Sequence, residues 1–247
     1  MDNLKNKVAV ITGGNSGIGY ATAKQLKEQG ATVIITGRRK EAIDKAALEL
    51  GVTAIVADQS NVGDTENLVA KVKQDFGQVD ILFINAGITT KGTIEEATEE
   101  LFDSVMDINF KGAYFTLSRF IPIMKDGASV VFLSSNTASM SYAGTSVYSS
   151  SKAALNSVVK IAALELAPRK IRVNSVSPGP TETEIMKKMG LDEAAVTTLM
   201  SAIVDTIPLK QMGTSEDVAK MVSHLSSNAS KFITGADFIM DGGMVLV

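Results

Sequence analysis

A doubly wound α/β fold, built on a parallel sheet of about seven strands with helices on both faces, is what this sequence predicts. Three observations carry the expectation. Short β-branched runs alternate along the chain with longer amphipathic segments. Several of the runs read as continuous apolar stretches, as strands buried on both faces do. A glycine-rich turn joins the first run directly to the first helical segment. In order, the expected strands are 8–11, 32–36, 54–56, 81–84, 129–133, 171–176 and 237–240. Helical spacing falls between them at about 17–29, 40–50, 64–76, 99–124, 147–167 and 215–226. No repeat, low-complexity tract or linker divides the chain, so one domain is expected over residues 1–247. The interruption at 180–213 is rich in methionine and ends at Thr214-Ser215-Glu216-Asp217, where a hydroxyl followed by acids marks a helix N-terminus.

Composition narrows the class. The chain has 247 residues, 45% hydrophobic and 21% charged, which is ordinary for a globular domain. A net charge of −3 leaves no basic surplus for nucleic acid or an anionic membrane surface. Cysteine is absent, which excludes disulfides, thiolate metal sites and a cysteine nucleophile. The opening residues Met-Asp-Asn-Leu-Lys-Asn-Lys carry no signal-peptide core, and no apolar run approaches the ~18 residues of a membrane span. The expectation is a cytoplasmic protein.

The first strand leads into Thr12-Gly13-Gly14-Asn15-Ser16-Gly17-Ile18-Gly19, with a helix starting inside the segment. Such a turn brings backbone N–H groups and a helix N-terminus against a pyrophosphate, because glycine allows the close approach. A bare glycine motif also occurs as an ordinary strand-to-helix turn. Its place after the first strand of a doubly wound fold, with the spacing G-x-x-x-G-x-G, favours a dinucleotide. The second strand ends Thr36-Gly37-Arg38-Arg39. A carboxylate near this point takes the ribose hydroxyls of NAD, whereas an arginine accommodates the 2′-phosphate of NADP. Gly37 stands at the acidic position and Arg38 follows it, so NADP(H) is favoured and NAD(H) stays open.

Farther on, Tyr148-Ser-Ser-Ser-Lys152 opens a helical pattern, which places the phenol and the ammonium on one face. A phenol titrates near 10 and is a poor base at neutral pH. A positive charge about 4 Å away, at an effective dielectric near 20, is worth about 4 kcal/mol, or roughly three pH units of titration. Lys152 is therefore expected to draw Tyr148 towards neutrality, where one group both gives and takes a proton.

Read together, Thr12-Gly13-x-x-x-Gly17-Ile18-Gly19, Asn85-Ala86-Gly87, Asn109, Ser135, Tyr148-x-x-x-Lys152 and Pro178-Gly179 resemble the short-chain dehydrogenase/reductase family over essentially the whole chain. The resemblance implies a Rossmann fold and an NAD(P)H-dependent oxidoreductase that interconverts a small-molecule ketone or aldehyde and an alcohol. It implies that Ser135 hydrogen-bonds the substrate carbonyl, Tyr148 is the acid/base, Lys152 also binds the nicotinamide ribose, and Asn109 holds a water of a proton relay. The turn residues Gly13, Asn15, Ser16, Gly17, Ile18 and Gly19 would hold the pyrophosphate. Asp58 with Gln59 would contact adenine, and Asn85-Ala86-Gly87 would wall the cofactor. Pro178, Gly179, Thr181 and Thr183 would hold the carboxamide. Family members are commonly homotetramers, paired through the helices carrying Asn109 and Tyr148 and through the last strand. Two departures stand out: Ile84 replaces the first Asn of the usual Asn-Asn-Ala-Gly, and Ser16 stands where NADP enzymes often carry a basic residue.

Two other functions compete with a general carbonyl reductase. A 3-oxoacyl-carrier-protein reductase needs basic residues at the pocket mouth, and Lys187, Lys188 and Lys210 are available. A nucleotide-sensing protein that has lost turnover would have no need of Ser135, Tyr148, Lys152 and Asn109. The methionines 186, 189, 200 and 212 fit a mobile apolar lid over the substrate. His224, alone of its kind, reads as structural, and Glu95, Glu96, Glu99 and Glu100 as solvated acids at a helix start, so no metal is expected.

Overall fold

The computed structural model describes residues 4–182 and 193–247. Seven strands form one parallel sheet: β1 (Val8–Thr12), β2 (Thr32–Gly37), β3 (Thr53–Val56), β4 (Val79–Ile84), β5 (Met124–Leu133), β6 (Arg172–Pro178) and, last in the chain, β9 (Asp237–Met240). Their order across the sheet is β3-β2-β1-β4-β5-β6-β9. The chain therefore winds outwards from β1 to β3, then returns to β4 on the other side of β1. That reversal opens a crevice between the carboxyl ends of β1 and β4, the place where doubly wound sheets bind ligands.

Consecutive side chains of the strands enter opposite cores, which is why their sequences are apolar without alternation. Val10, Ile34, Leu82, Val130 and Phe132 face one layer, with Leu68 and Val72 of α3 (Val62–Phe76), Leu117 and Phe120 of α5 (Ala113–Phe120), and Leu155 and Val159 of α6 (Ser146–Leu166). Ile11, Ile35, Phe83 and Val131 face the other, with Ala23 and Leu26 of α1 (Gly17–Glu28), Ile43 of α2 (Lys40–Leu50), and Val218 and Val222 of α8 (Ser215–Ser226). The helix start expected at Thr214 is a complete capping box: Thr214 Oγ1 accepts the Asp217 N–H, and the Asp217 carboxylate accepts the Thr214 N–H.

Three local features differ from expectation. The helix expected over 99–124 is α4 (Glu99–Met106), a π-helical stretch Asp107–Gly112, α5, and a short 3₁₀ turn. Strand β5 begins five residues early because Met124 pairs with Val79 before a bulge. The interruption at 180–213 contains β7 (Thr181–Glu182), α7 (Glu193–Thr206) and β8 (Gly213–Thr214), with β7 and β8 paired. Met212 is buried with Ile207 and Met244, and Met200 packs on them; Thr183, Met186, Lys187, Lys188 and Met189 lie outside the described residues. Among the described residues no helix is long and apolar enough to cross a membrane, and no acid/histidine group could hold a metal ion.

Candidate active site

A cavity of about 360 Å³ occupies the crevice at the carboxyl ends of β1, β2, β3 and β4. Its floor is the glycine turn, where Gly13 has φ +66° and a Cβ there would stand 2.9 Å from Asn85 Nδ2. A Cβ on Gly19 would meet the Gly13 carbonyl at 2.3 Å, so α1 can start this close to the strand only with glycine. The turn is tied to the next strand end. Thr12 Oγ1 accepts the N–H groups of Asn85 and Ala86, each at 3.0 Å, and Asn85 Nδ2 donates to the carbonyls of Thr12 and Gly13.

The cavity fits a dinucleotide on two further grounds. Ser16 is the N-cap of α1 but its side chain makes no capping bond, and the first turn holds no acid, so its N–H groups remain available to an anion. Arg38 lines the cavity beside Gly37, with no carboxylate at that position to repel a phosphate. Asp58 is held by Ser60, whose N–H and Oγ–H both donate to Oδ1 at 2.9 and 2.8 Å. Gln59 is buried, and its amide spans two elements by donating to the carbonyls of Ala86 (2.9 Å) and Ile108 (3.0 Å).

The four residues singled out for chemistry gather at the edge of this cavity. Asn109 is fully buried in the π-helical stretch and clasps Ile88, accepting its N–H and donating to its carbonyl, each at 2.8 Å. Its amide also donates to Ser151 Oγ at 3.2 Å, and Ser151 in turn donates to the Tyr148 carbonyl at 2.7 Å. Lys152, one turn along α6, is buried and donates from Nζ to the Leu133 carbonyl at 2.8 Å. Gly87 and Leu133 line the cavity, and a Cβ on Gly87 would lie 3.1 Å from Asn109 Oδ1 and 3.5 Å from Lys152 Nζ. Ser135 follows β5 by two residues and is buried beside Tyr148.

The electrostatics correct one expectation. Burial pushes the Tyr148 phenol up from its ordinary value, and a hydrogen bond with Ser135 acts against that rise. The Lys152 ammonium stands 5.8 Å from the centre of the Tyr148 ring and spends a proton on Leu133, so it does not draw the phenol to neutrality in this structure. Burial acts on the lysine itself, lowering it to about 8.

Of the residues expected to hold a cofactor, Gly13, Asn15, Ser16, Gly17, Ile18, Arg38, Asp58, Gln59, Asn85, Ala86 and Gly87 line the cavity. Gly19, Pro178 at the end of β6, Gly179 and Thr181 of β7 are not among the lining residues, and Thr181 Oγ1 donates to the Gly179 carbonyl at 3.0 Å. Sequence reasoning missed Thr36, Arg39, Ala57, Ile88, Ile108 and Leu133 as lining residues. Most sit at strand ends beside residues that were named, and the crevice rule for doubly wound sheets would have found them.

The chain is similar to known proteins over nearly its whole length. The family model described as "Enoyl-(Acyl carrier protein) reductase" matches residues 13–245. The chain is 36% identical to "Dehydrogenase/reductase SDR family member 4" of Homo sapiens, over 98% of this chain and 88% of that one. It is 35% identical to the "NADP-dependent (R)-specific alcohol dehydrogenase" of Lentilactobacillus kefiri, over 98% of each. Among solved structures it superposes on the short-chain dehydrogenase/reductase from Serratia marcescens with a TM-score of 0.91 and 31% identity, covering 98% of this chain and 99% of that one.

Proposed function

The chain belongs to the short-chain dehydrogenase/reductase family, and from that premise we propose that it reduces a ketone or aldehyde to the alcohol, reversibly, with NADP(H) favoured over NAD(H). The observation that carries this reading is the convergence of Ser135, Tyr148, Lys152 and Asn109 on the edge of the cleft lined by the glycine turn and Arg38. A reduced dinucleotide bound there supplies the hydride. Ser135 donates a hydrogen bond to the carbonyl oxygen and fixes it against Tyr148. Tyr148 gives that oxygen its phenolic proton, and in the reverse direction the phenolate takes it back. Lys152, cationic below about pH 8 and 5.8 Å from the centre of the Tyr148 ring, is the group that would contact the nicotinamide ribose of a bound dinucleotide. Asn109 secures Ile88 in the cleft wall and, through Ser151, the backbone of Tyr148.

Exposed Tyr114 on α5, Ile161 and Leu164 on α6, and Leu246 and Val247 after β9 support a homotetramer paired through those elements. The description of the matching family model favours an acyl-carrier-protein substrate as the second reading. Of its basic residues only Lys210 is described, and it donates to the Asp205 carbonyl at 2.7 Å.

The test is a panel of ketones, 3-oxoesters and alcohols assayed with NADPH and NADH. Tyr148→Phe should lose far more than tenfold in kcat/KM, a loss above ~1.4 kcal/mol, while still binding NADPH. Arg38→Leu should weaken NADPH by about 1.5–3 kcal/mol and leave NADH unchanged. A Tyr148→Phe enzyme with a tenth or more of wild-type kcat/KM sinks the acid/base assignment. Equal use of both cofactors, with Arg38→Leu neutral, moves the enzyme to NAD.

A further inference from the structure

Ser135 lies two residues beyond the end of β5 and is the N-cap of a single 3₁₀ turn, Asn136–Ala138. Its hydroxyl oxygen accepts two hydrogen bonds from one residue: the Thr137 N–H at 3.2 Å and the Thr137 Oγ1–H at 3.0 Å. A serine hydroxyl has one proton to give and two lone pairs to accept with. An ordinary cap uses one lone pair, leaving the hydroxyl free to turn as donor or acceptor. Here Thr137 fills both, so the Ser135 proton must point away from the turn. Tyr148 stands within hydrogen-bonding reach of Ser135, where that proton can be received.

We propose that Thr137 is a positioning residue for carbonyl reduction, locking the Ser135 hydroxyl as an outward-pointing donor to the substrate oxygen. The inference rests on the reading above, in which Ser135 holds that oxygen. A donor fixed beforehand needs no reorientation as negative charge builds on the carbonyl oxygen, and the two bonds it accepts polarise its O–H further. A free Ser135 would also offer a lone pair to the Tyr148 proton, competing with the substrate for it. Thr137 removes that competitor.

Thr137→Val keeps the shape and the backbone N–H but deletes the hydroxyl donor. The assay uses NADPH with ethyl acetoacetate, or whichever panel member turns over fastest. We expect kcat to fall about fivefold to tenfold, the scale of one hydrogen bond realised in the transition state, with the Kd for NADPH unchanged. Thr137→Ser, which restores the donor, should recover most of the loss. In a Ser135→Ala background Thr137→Val should cost nothing more, because the group it orients is gone. A merely structural threonine would instead cost the same factor in both backgrounds and would lower Tm. That outcome, or wild-type kcat in Thr137→Val, overturns the proposal. If Thr137→Val does not fold, Thr137→Ala read against Thr137→Ser in both backgrounds makes the same decision. Should Ser135→Ala itself keep wild-type turnover, the assignment of Ser135 to the substrate falls first.

Discussion

A lysine ammonium that is 97% shielded from water holds its charge at a cost, and Lys152 is only 3% exposed. Burial lowers it from 10.5 to about 8, so the folded chain binds that proton less well than the unfolded chain. The sign of the linkage follows: the cost is full below pH 8 and is relieved as pH rises from 8 towards 10.5. The shift corresponds to about 3 kcal/mol against the charged form, partly offset by the bond to Leu133. Lys152→Met should therefore stabilise the protein near pH 7 by on the order of 1 kcal/mol while abolishing turnover. Thermal melts across pH 6–10 check this, with the gap from wild type closing as pH rises. A variant that melts below wild type at pH 7 would show that the ammonium is structural. The Tyr148–Lys152 pair was legible in the sequence because its spacing reports one helix face. The order of the two titrations was not, since it depends on burial and on the Leu133 carbonyl, which lies nineteen residues away in the chain. Thr137 was illegible for a similar reason: a hydroxyl two residues after a serine is commonplace until a 3₁₀ turn folds it back.

At the scale of elements, the break between α4 and α5 is what delivers Asn109 to the cleft. An unbroken α-helix would carry residues 107–112 on a 3.6-residue period, and the π-helical stretch shifts that phase before α5 resumes. The amphipathic pattern over 99–124 runs through both phases, so the sequence reads as one helix. The contact that fixes the break is between backbones. A Cβ on Gly112 would stand 2.2 Å from the Gln59 carbonyl oxygen and 2.9 Å from that of Asp107. Neither atom belongs to a flexible side chain, and Gln59 is further tied by its amide to Ala86 and Ile108. Gly112→Ala should push the π-helical stretch off the end of β3 and disturb the Asn109 clasp on Ile88. We expect a loss of about 1–3 kcal/mol, hence a Tm lower by several degrees, together with reduced kcat. Thermal denaturation and turnover of the one variant measure both, and an unchanged Tm would mean the two segments do not touch this closely.

Across the whole molecule the sheet has a working end and a closing end. The working end was legible because the strands are apolar runs and the glycine turn marks the first carboxyl end; the strand order β3-β2-β1-β4-β5-β6-β9 and the registers were not, since they depend on which strands pair in three dimensions. The closing end carries a device the sequence did not advertise. Asp80, in β4, is 4% exposed and accepts the Val8 N–H at 2.9 Å, Lys7 Nζ at 3.0 Å and Lys125 Nζ at 3.2 Å. One carboxylate thus joins β1, β4 and β5, the centre of the sheet, from three sequence-distant segments. Burial alone would raise its titration, but the Val8 N–H and the two ammoniums outweigh burial and hold it below the usual carboxylate range. Because the folded value lies below the unfolded one, Asp80 contributes stability that is full above the unfolded value near 4 and is lost as pH falls through the folded value. Lys7 and Lys125 are about half exposed, so solvent screens part of the attraction, and the Val8 bond supplies the least screened share. Asp80→Asn should cost about 1–3 kcal/mol at pH 7, the scale of charged hydrogen bonds lost at a buried acceptor. Urea unfolding from pH 7 down to pH 3 is the measurement: the two curves should stay apart to about pH 4 and begin to converge below it, where the unfolded chain takes up the Asp80 proton first. A gap that persists undiminished at pH 3 would locate the loss in packing and not in the carboxylate charge. Since the cleft lies at the opposite ends of these strands, Asp80→Asn should keep wild-type KM and kcat at temperatures where it remains folded, which separates the clamp from the chemistry it supports.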